Sequence, residues 1–178
     1  EVLDCVIHRT GAKPLTEQEI YFHLLALYHE YMHSEAIAYT RQTLSYPRPQ
    51  LAVASSKDAG MRAGPLPGDA LIPGGSFILG AAPGSGFVFD NEKWAHAVEV
   101  RPFRIARAPV TNVEFAAFVN EGGYAREMLW SAGGWEWRQK NGAEHPIYWL
   151  RQEGGNWLVR IFDRLVPLEN HLPVLHVS

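Results

Sequence analysis

A stretch rich in proline and glycine divides the chain and constrains its fold more than any other feature. Residues 47–70 contain four Pro and three Gly without a repeating period. Proline lacks a backbone N–H donor and glycine favours turns, so this segment is unsuited to a long helix or a central strand. We therefore predict a linker at 47–70 between a helical part, residues 1–46, and a mixed part, residues 71–178.

Length and composition place the chain among globular proteins. It has 178 residues, of which 47% are hydrophobic and 20% charged. The net charge of −3 argues against a nucleic-acid partner, and no run of 18 apolar residues is present to span a membrane. A single cysteine, Cys5, excludes an internal disulfide framework and a zinc ribbon, so we expect a cytoplasmic protein.

The strongest helix signal precedes the linker. Thr16 and Glu19 form a capping-box pattern, and Pro47 stops the periodic segment, so we predict a helix over 16–45. Apolar residues and two histidines recur at steps of three and four. This stripe is predicted to face a bundle interior and comprises Phe22, Leu25, Ala26, His29, His33, Ala36 and Ile37.

The part after the linker mixes short strands with one clear helix. Thr111 and Glu114 form a second capping-box pattern, and Gly122 and Gly123 end the helix that follows. Residues 124–170 are predicted to be irregular, with short strand-like pieces such as 157–162. Further strands are predicted within 71–80, 97–105 and 173–178. The fold class expected from these elements is α+β.

Two features raise further expectations. Residues 1–8 look like the end of an apolar helix and residues 173–178 like an interrupted strand, so we expect a part of a longer chain. Six tryptophans are many for this length. We expect most of them to form a core in an irregular fold, and the alternative is an aromatic substrate cage. They are Trp94, Trp130, Trp135, Trp137, Trp149 and Trp157.

The histidines of the stripe form the sharpest candidate site. His29 and His33 are four residues apart, so a helix places both imidazoles on one face, within reach of one metal ion. The alternative is a pair of core histidines satisfied by hydrogen bonds. Two histidines at this spacing on one stripe favour the metal.

The same residues also match HExxH, the zinc-protease pattern, in which Glu30 would be the general base. That pattern needs a third ligand. Ala36 and Tyr39 stand where one protease class has Gly and His, and no Glu lies between Glu35 and Glu92 to serve another class. The protease stays open as an alternative.

Two residues beside the pair are candidates for supporting roles. Glu35 lies about 200° round the helix from His33, so it does not share the metal. We expect it to pair with a neighbouring helix or to act in a second shell. Met32 flanks the histidine face and either lines a pocket or packs in the core.

Two stretches resemble one enzyme family. The helix HEYMHSEAIAYTRQTL resembles the metal-binding helix of DinB-like four-helix bundles, whose HxxxHxE pattern falls on His29, His33 and Glu35. The stretches IPGGSFILG and FDNEKWAHAVEVRPFRIARAPVTNVEFAAFVNEGGY resemble the start of a formylglycine-generating-enzyme-like domain, a variant of the C-type lectin fold. Together and in this order they are similar to the iron-dependent sulfoxide synthases of ergothioneine biosynthesis. Residues 1–46 would then be the end of a DinB-like bundle, and 71–178 the start of a lectin-like domain.

The residues of these motifs are most similar to those of the selenoneine synthase branch of that family. Ergothioneine-type enzymes have Gln just before the second helix histidine, and this chain has Met32. The segments SEAIAYTRQTLSYPRP and FVFDNEKWAH also resemble the selenoneine branch. A sulfur-using ergothioneine enzyme, taking γ-glutamylcysteine or cysteine, is the first alternative.

The resemblance implies a mononuclear non-haem Fe(II) held by three histidines. His29 and His33 would be two of them, and the third would come from an earlier helix outside this chain. The small-molecule partners implied are hercynine, O₂ and a selenium or sulfur donor, joined at C2 of the hercynine imidazole. Most of the substrate pocket would follow Ser178. A non-catalytic lectin-like binding module is a further alternative, and formylglycine generation is disfavoured because it needs a cysteine pair in the lectin-like domain.

Overall fold

The structure is a computed structural model that describes residues 2–50 and 66–177. Residues 51–65, most of the predicted linker, lie outside the described residues. The chain forms two compact units. One comprises Glu1–Tyr39 and Pro73–Pro102, and the other comprises Thr40–Ile72 and Phe103–Ser178.

The described residues form a mixture of helices and antiparallel strands, which confirms the mixed fold class. A DinB-like bundle and a lectin-like domain stay predictions. The helices are α1 Val2–Ala12, α2 Glu17–Thr43, α3 Asn112–Asn120 and α4 Ala132–Asn141. The strands are β1 Asp69–Ile72, β2 Gly75–Leu79, β3 His96–Val100, β4 Phe103–Ala106, β5 Trp149–Arg151, β6 Trp157–Ile161 and β7 Arg164–Pro167. Short 3₁₀ turns lie at Asp90–Glu92, Gly123–Ala125 and Glu127–Leu129.

Helix α2 begins as predicted. The Glu19 N–H donates to the Thr16 hydroxyl oxygen at 3.2 Å, and the Thr16 N–H donates to a Glu19 carboxylate oxygen at 2.9 Å. These two bonds satisfy amides that a helix start leaves without partners. The helix ends at Thr43, two residues before the predicted end, and Ser45 follows with a φ of 56°.

The first unit combines α1, most of α2 and a β-hairpin. Strands β2 and β3 pair antiparallel, with Phe77 opposite Val98. Gly74 precedes β2 with a φ of +77°, and a Cβ there would lie 2.6 Å from the Val100 carbonyl oxygen. Only glycine fits this turn.

The second unit holds two small sheets. Strands β1 and β4 pair antiparallel, and β5, β6 and β7 form an antiparallel sheet in chain order. Helix α3 begins at the predicted capping box, where a Glu114 carboxylate oxygen accepts from the Thr111 N–H at 2.8 Å. The carboxyl of Glu114 also accepts from the Thr111 hydroxyl, and these two bonds lower its pKa.

Three sequence-based expectations are wrong in this part of the chain. The predicted strand 97–105 is two strands, because Pro102 lacks the N–H that a continuous ladder needs. The predicted strand 173–178 is absent over 173–177, where Pro173 forms one isolated bridge to Thr111. Helix α4 lies in the segment expected to be irregular. Its sequence AGGWEWRQKN lacks an apolar period, and Ser131 caps it by accepting from the Gly134 N–H at 3.1 Å.

Aromatic side chains pack together in the second unit, where Trp149 is buried and Trp130, Trp135 and Trp157 are half-buried. Trp149 is 3% exposed and packs against Phe115 and Trp157, with ring centres 6.1 and 5.4 Å away. Tyr124 packs on Trp130 at 5.2 Å, and burial raises the pKa of the Tyr124 hydroxyl. Trp94 and Trp137 differ from the prediction, since they are 53% and 47% exposed.

Among the described residues, no helix is long and apolar enough to cross a membrane.

Candidate metal centre

The two candidate ligands lie side by side on α2. The ring centres of His29 and His33 are 4.5 Å apart, with the ring planes inclined by 45°. The helix presents them one turn apart on one face, as the four-residue spacing predicts. The structure therefore brings the sequence-predicted pair together, close enough for both imidazoles to reach one ion.

The face that carries the pair is exposed, so the predicted burial of the stripe is wrong for the residues described. Both histidines are exposed, and Phe22 and Ile37 on the same stripe are 56% and 60% exposed. Apolar periodicity predicted that some element covers this face, and no described residue buries it. The histidine rings are consequently open to ligands.

The donor chemistry of the pair fits a divalent transition metal. Imidazole nitrogen is a good ligand for iron, and two neighbouring imidazoles supply part of a coordination shell. Within residues 2–50 and 66–177, no group of three or more His, Cys, Asp or Glu side chains converges on one point. The pair thus fits as two ligands of a metal, and a third protein ligand within the described chain is absent.

Met32 and Glu35 are the two candidates for supporting roles, and both lie on α2. Met32 directly precedes His33 and is 48% exposed. Glu35 is also exposed, and it lies seven residues after Tyr28, so these two side chains share a different face of α2 from the histidines. Neither placement tests a role at the metal.

His23 lies apart from the pair, in a shallow cavity of about 360 Å³ within the first unit. Its other lining residues are Val2, Cys5, Val6 and Arg9. His23 is six residues before His29, about 240° round the helix, so it does not share a face with the candidate ligands.

Sequence reasoning missed an aromatic cluster that touches α2 beside the histidines. The cluster consists of Tyr21, Tyr28, Phe87 and Phe89. The Phe87 ring stacks on Tyr21 at 5.2 Å and lies 4.9 Å from Tyr28, and Phe89 meets Tyr28 edge-on at 6.1 Å. Phe87 and Phe89 are themselves 4.9 Å apart at nearly a right angle. One sequence feature could have indicated this cluster. Tyr21 and Tyr28 are seven residues apart, which puts both rings on one helix face.

Polar contacts join the same two segments. The Tyr21 hydroxyl donates to Asp90 Oδ1 at 3.1 Å. Lys93 Nζ lies 3.3 Å from the same oxygen and 4.7 Å from the centre of the Tyr21 ring. Asp90 thus fixes the end of Tyr21 while the aromatic rings pack beneath it. From the sequence alone, Asp90 and Asn91 indicate only a turn, because both residue types favour turns.

A cavity of about 660 Å³ lies along this loop, and Phe87 of the aromatic cluster is among its lining residues. Lys93, Trp94 and His96 line part of it, and the Trp94 carbonyl oxygen lies 2.9 Å from His96 Nδ1. His29 and His33 do not line this cavity. It is therefore distinct from the candidate metal centre.

At the amino end of α2, the capping carboxylate is strongly perturbed. The pKa of Glu19 is lowered to about 2, chiefly because it accepts a hydrogen bond from the Thr16 backbone and a second from the Thr16 hydroxyl. Lys13 adds an ion pair at 3.4 Å. Glu19 thus stays ionised and holds the start of the helix that carries the histidines.

Comparison with known families gives a match over most of the chain. The profile described as "Sulfatase-modifying factor enzyme 1-like domain" matches residues 55–178. The match begins after α2, so it does not include His29 or His33.

Curated relatives fall into two kinds of enzyme. A hercynine oxygenase of Mycolicibacterium smegmatis is 38% identical over 126 residues, covering 70% of this chain and 29% of that protein. Another, of Mycobacterium tuberculosis, is 41% identical over 103 residues, or 57% of this chain and 24% of that protein. A formylglycine-generating enzyme of Streptomyces coelicolor is 31% identical over 150 residues, covering 73% of this chain and 45% of that protein. The chain thus spans less than a third of the length of these two hercynine oxygenases.

Proposed function

The chain belongs to the family of sulfatase-modifying factor enzyme 1-like domains, and from this premise we propose that it is part of a non-haem iron enzyme that uses O₂ to modify hercynine. The observation that carries the proposal is the 38–41% identity to two hercynine oxygenases. The similarity to a formylglycine-generating enzyme agrees with the same domain family, but that enzyme's name indicates a substrate other than hercynine.

The histidine pair would supply two of the ligands to iron. His29 and His33 would hold Fe(II) through ring nitrogens, and a third histidine would come from outside this chain. Iron bound there would order and activate the reactants at its remaining coordination positions. The exposed rings of the pair leave space on that side of α2 for the reactants.

The proposed reaction joins a chalcogen atom to C2 of the hercynine imidazole. The C2–H bond and the S–H or Se–H bond of the donor break, and one carbon–chalcogen bond forms. One oxygen atom of O₂ becomes the oxide on sulfur or selenium, and the other leaves as water with the two released hydrogens. All four electrons that O₂ accepts come from these bonds and from the chalcogen, so no further reductant is needed.

Met32 supports selenium as the donor atom. Its side chain lies beside His33 and is half exposed, so it borders the histidine face. A thioether is apolar and polarizable, which suits contact with a soft atom, whereas glutamine at this position would offer a polar hydrogen-bonding group. We therefore propose a selenium donor of the selenosugar class, in preference to γ-glutamylcysteine or cysteine.

Formylglycine generation is the less favoured alternative. That chemistry needs a cysteine pair in the matched domain, and residues 55–178 contain no cysteine. The only cysteine of the chain, Cys5, is exposed on α1.

A competition assay tests the proposal and the donor together. The full-length protein, purified without air and loaded with Fe(II), is given hercynine, O₂ and equal amounts of a selenosugar and γ-glutamylcysteine. Mass spectrometry should show mainly the carbon–selenium product, and Met32→Gln should move the ratio towards carbon–sulfur. A carbon–sulfur preference in the unmodified protein would return it to the ergothioneine branch. Peptide cleavage without either product would favour the HExxH protease.

A further inference from the structure

We propose that the aromatic cluster positions the turn of α2 that carries His29 and His33, with Phe87 as the positioning residue. The inference rests on the proposed metal role of that pair. Nothing in the sequence motifs assigns Phe87, Tyr28 or Tyr21 to the site, and the proposal follows from their contacts.

The cluster fixes the rotation of the helix about its own axis. Tyr28 directly precedes His29, and its ring is held by Phe87 at 4.9 Å and by Phe89 at 6.1 Å. Successive residues of an α-helix are rotated by about 100°, so fixing Tyr28 also fixes the direction in which His29 leaves the helix. His33, one turn further on, follows because a helix turn is rigid.

A second contact two turns earlier prevents the helix from pivoting on Tyr28. Tyr21 stacks on the same Phe87 ring at 5.2 Å, and its hydroxyl donates to Asp90 at 3.1 Å. Phe87 therefore touches α2 at two points, seven residues apart. One ring that bridges two turns resists both rotation and tilt.

The loop that presents Phe87 is itself well held. The Glu92 carboxylate accepts from the Phe89 N–H at 3.0 Å, and the Ala81 N–H donates to the Glu92 carbonyl oxygen at 2.8 Å. Gly80 permits this close approach, since a Cβ there would lie 3.0 Å from the Trp94 carbonyl oxygen. These bonds connect the aromatic segment to the β2–β3 hairpin, so the support beneath α2 is a fixed one.

The neighbouring histidine face shows why such support is needed. His29 and His33 are exposed, and no described residue packs over them. A metal ligand must keep its direction before the ion arrives, and the described contacts that restrain this part of α2 come from the face that carries the two tyrosines. Phe87 provides two of these contacts, one to Tyr28 and one to Tyr21.

The test compares Phe87→Leu with Phe77→Leu, a matched change in the same hairpin outside the cluster. Hydrogen exchange of the metal-free protein is measured across residues 28–36, and Co(II), a spectroscopic substitute for iron, is titrated into each variant. Phe87→Leu should speed exchange in that segment by about two- to twelvefold, the range expected for a lost aromatic pair. It should also weaken Co(II) binding and shift the Co(II) absorption bands. Phe77→Leu should change none of these.

Unchanged exchange across 28–36 together with an unchanged Co(II) spectrum in Phe87→Leu would overturn the inference. If Phe87→Leu fails to fold, Tyr21→Phe decides, because it removes only the hydroxyl that donates to Asp90. Faster exchange across 28–36 in Tyr21→Phe supports the inference, and unaltered exchange overturns it. Failure of the unmodified protein to bind Co(II) would contradict the proposed function, while the exchange data would still decide the positioning role.

Discussion

Gln42 and Arg160 hold each other by reciprocal hydrogen bonds. The Gln42 side-chain amide donates to the Arg160 carbonyl oxygen at 3.0 Å, and the Arg160 guanidinium donates to the Gln42 carbonyl oxygen at 2.6 Å. Gln42 Oε1 also accepts from the Phe162 N–H at 2.6 Å, where Phe162 has a φ of 55°. One amide thus satisfies two backbone groups of the β6–β7 turn, and the arginine satisfies a carbonyl at the end of α2.

Replacing Gln42 with Leu should destabilise the protein. The side chains are similar in size, so the main effect is loss of partners for the Arg160 carbonyl and the Phe162 N–H. Leaving such groups unsatisfied costs about 1–3 kcal/mol. Denaturant unfolding measures the change, and Gln139→Leu on exposed α4 is the matched control. Equal midpoints for the two variants would show that the amide contributes nothing.

Trp149→Ala should lower stability before it alters substrate binding. Trp149 is 3% exposed, and removing a buried aromatic side chain costs about 3–5 kcal/mol. Trp137→Ala, at an exposed tryptophan, should change stability by less than about 0.5 kcal/mol. Calorimetric melting and hercynine titration separate the effects. An unchanged melting temperature with lost hercynine binding would instead indicate an aromatic cage.

Acid should weaken the start of α2 through Glu19. Its pKa is about 2 in the folded protein, below the ordinary value of 4.5, so the folded state binds the proton less tightly than the unfolded chain. The stabilisation is therefore complete above pH 4.5 and is lost as the pH falls through about 2. Glu19→Gln keeps the capping geometry but removes this dependence.

Stability measured from pH 5.5 to 2 should show the wild-type advantage over Glu19→Gln shrinking in this window. Glu17→Gln, a first-turn change outside the capping box, serves as the control. A constant difference between wild type and Glu19→Gln across the window would disprove the linkage.

His29→Ala and His33→Ala should each lose most of the bound iron. Removing one of two neighbouring imidazoles leaves too few ligands on α2 to retain the ion. Iron analysis after air-free purification of the full-length protein checks this, with His171→Ala as a control at an exposed histidine. Full iron content in both the His29→Ala and the His33→Ala variant would contradict the assignment of these histidines as iron ligands.

Local signals in the sequence predicted local structure well. Thr16 with Glu19 and Thr111 with Glu114 each mark a helix start, because capping depends on residues three apart in the chain. The four-residue spacing likewise placed His29 beside His33. These inferences succeed because a helix fixes near neighbours whatever surrounds it.

Contacts between distant segments were not predictable in this way. Phe87 packs against Tyr28, which lies 59 residues earlier in the chain, and nothing in the local sequence FVFD indicates that partner. Helix α4 was missed because Gly133 and Gly134 weaken helix propensity, and its cap and position in the fold outweigh that. The burial expected for the His29 stripe failed because periodicity indicates that a face suits a partner, without supplying one.

The most direct measurement of the central claim follows the fate of the hydrogen at C2 of hercynine. Hercynine deuterated at C2 is incubated with the iron-loaded, full-length protein, O₂ and the selenium or sulfur donor, and the recovered substrate and product are weighed by mass spectrometry. The proposed function predicts a product that has lost the deuterium and gained the chalcogen, formed only when iron, O₂ and donor are all present. Hercynine recovered unchanged, with its deuterium in place under the complete conditions, would contradict it.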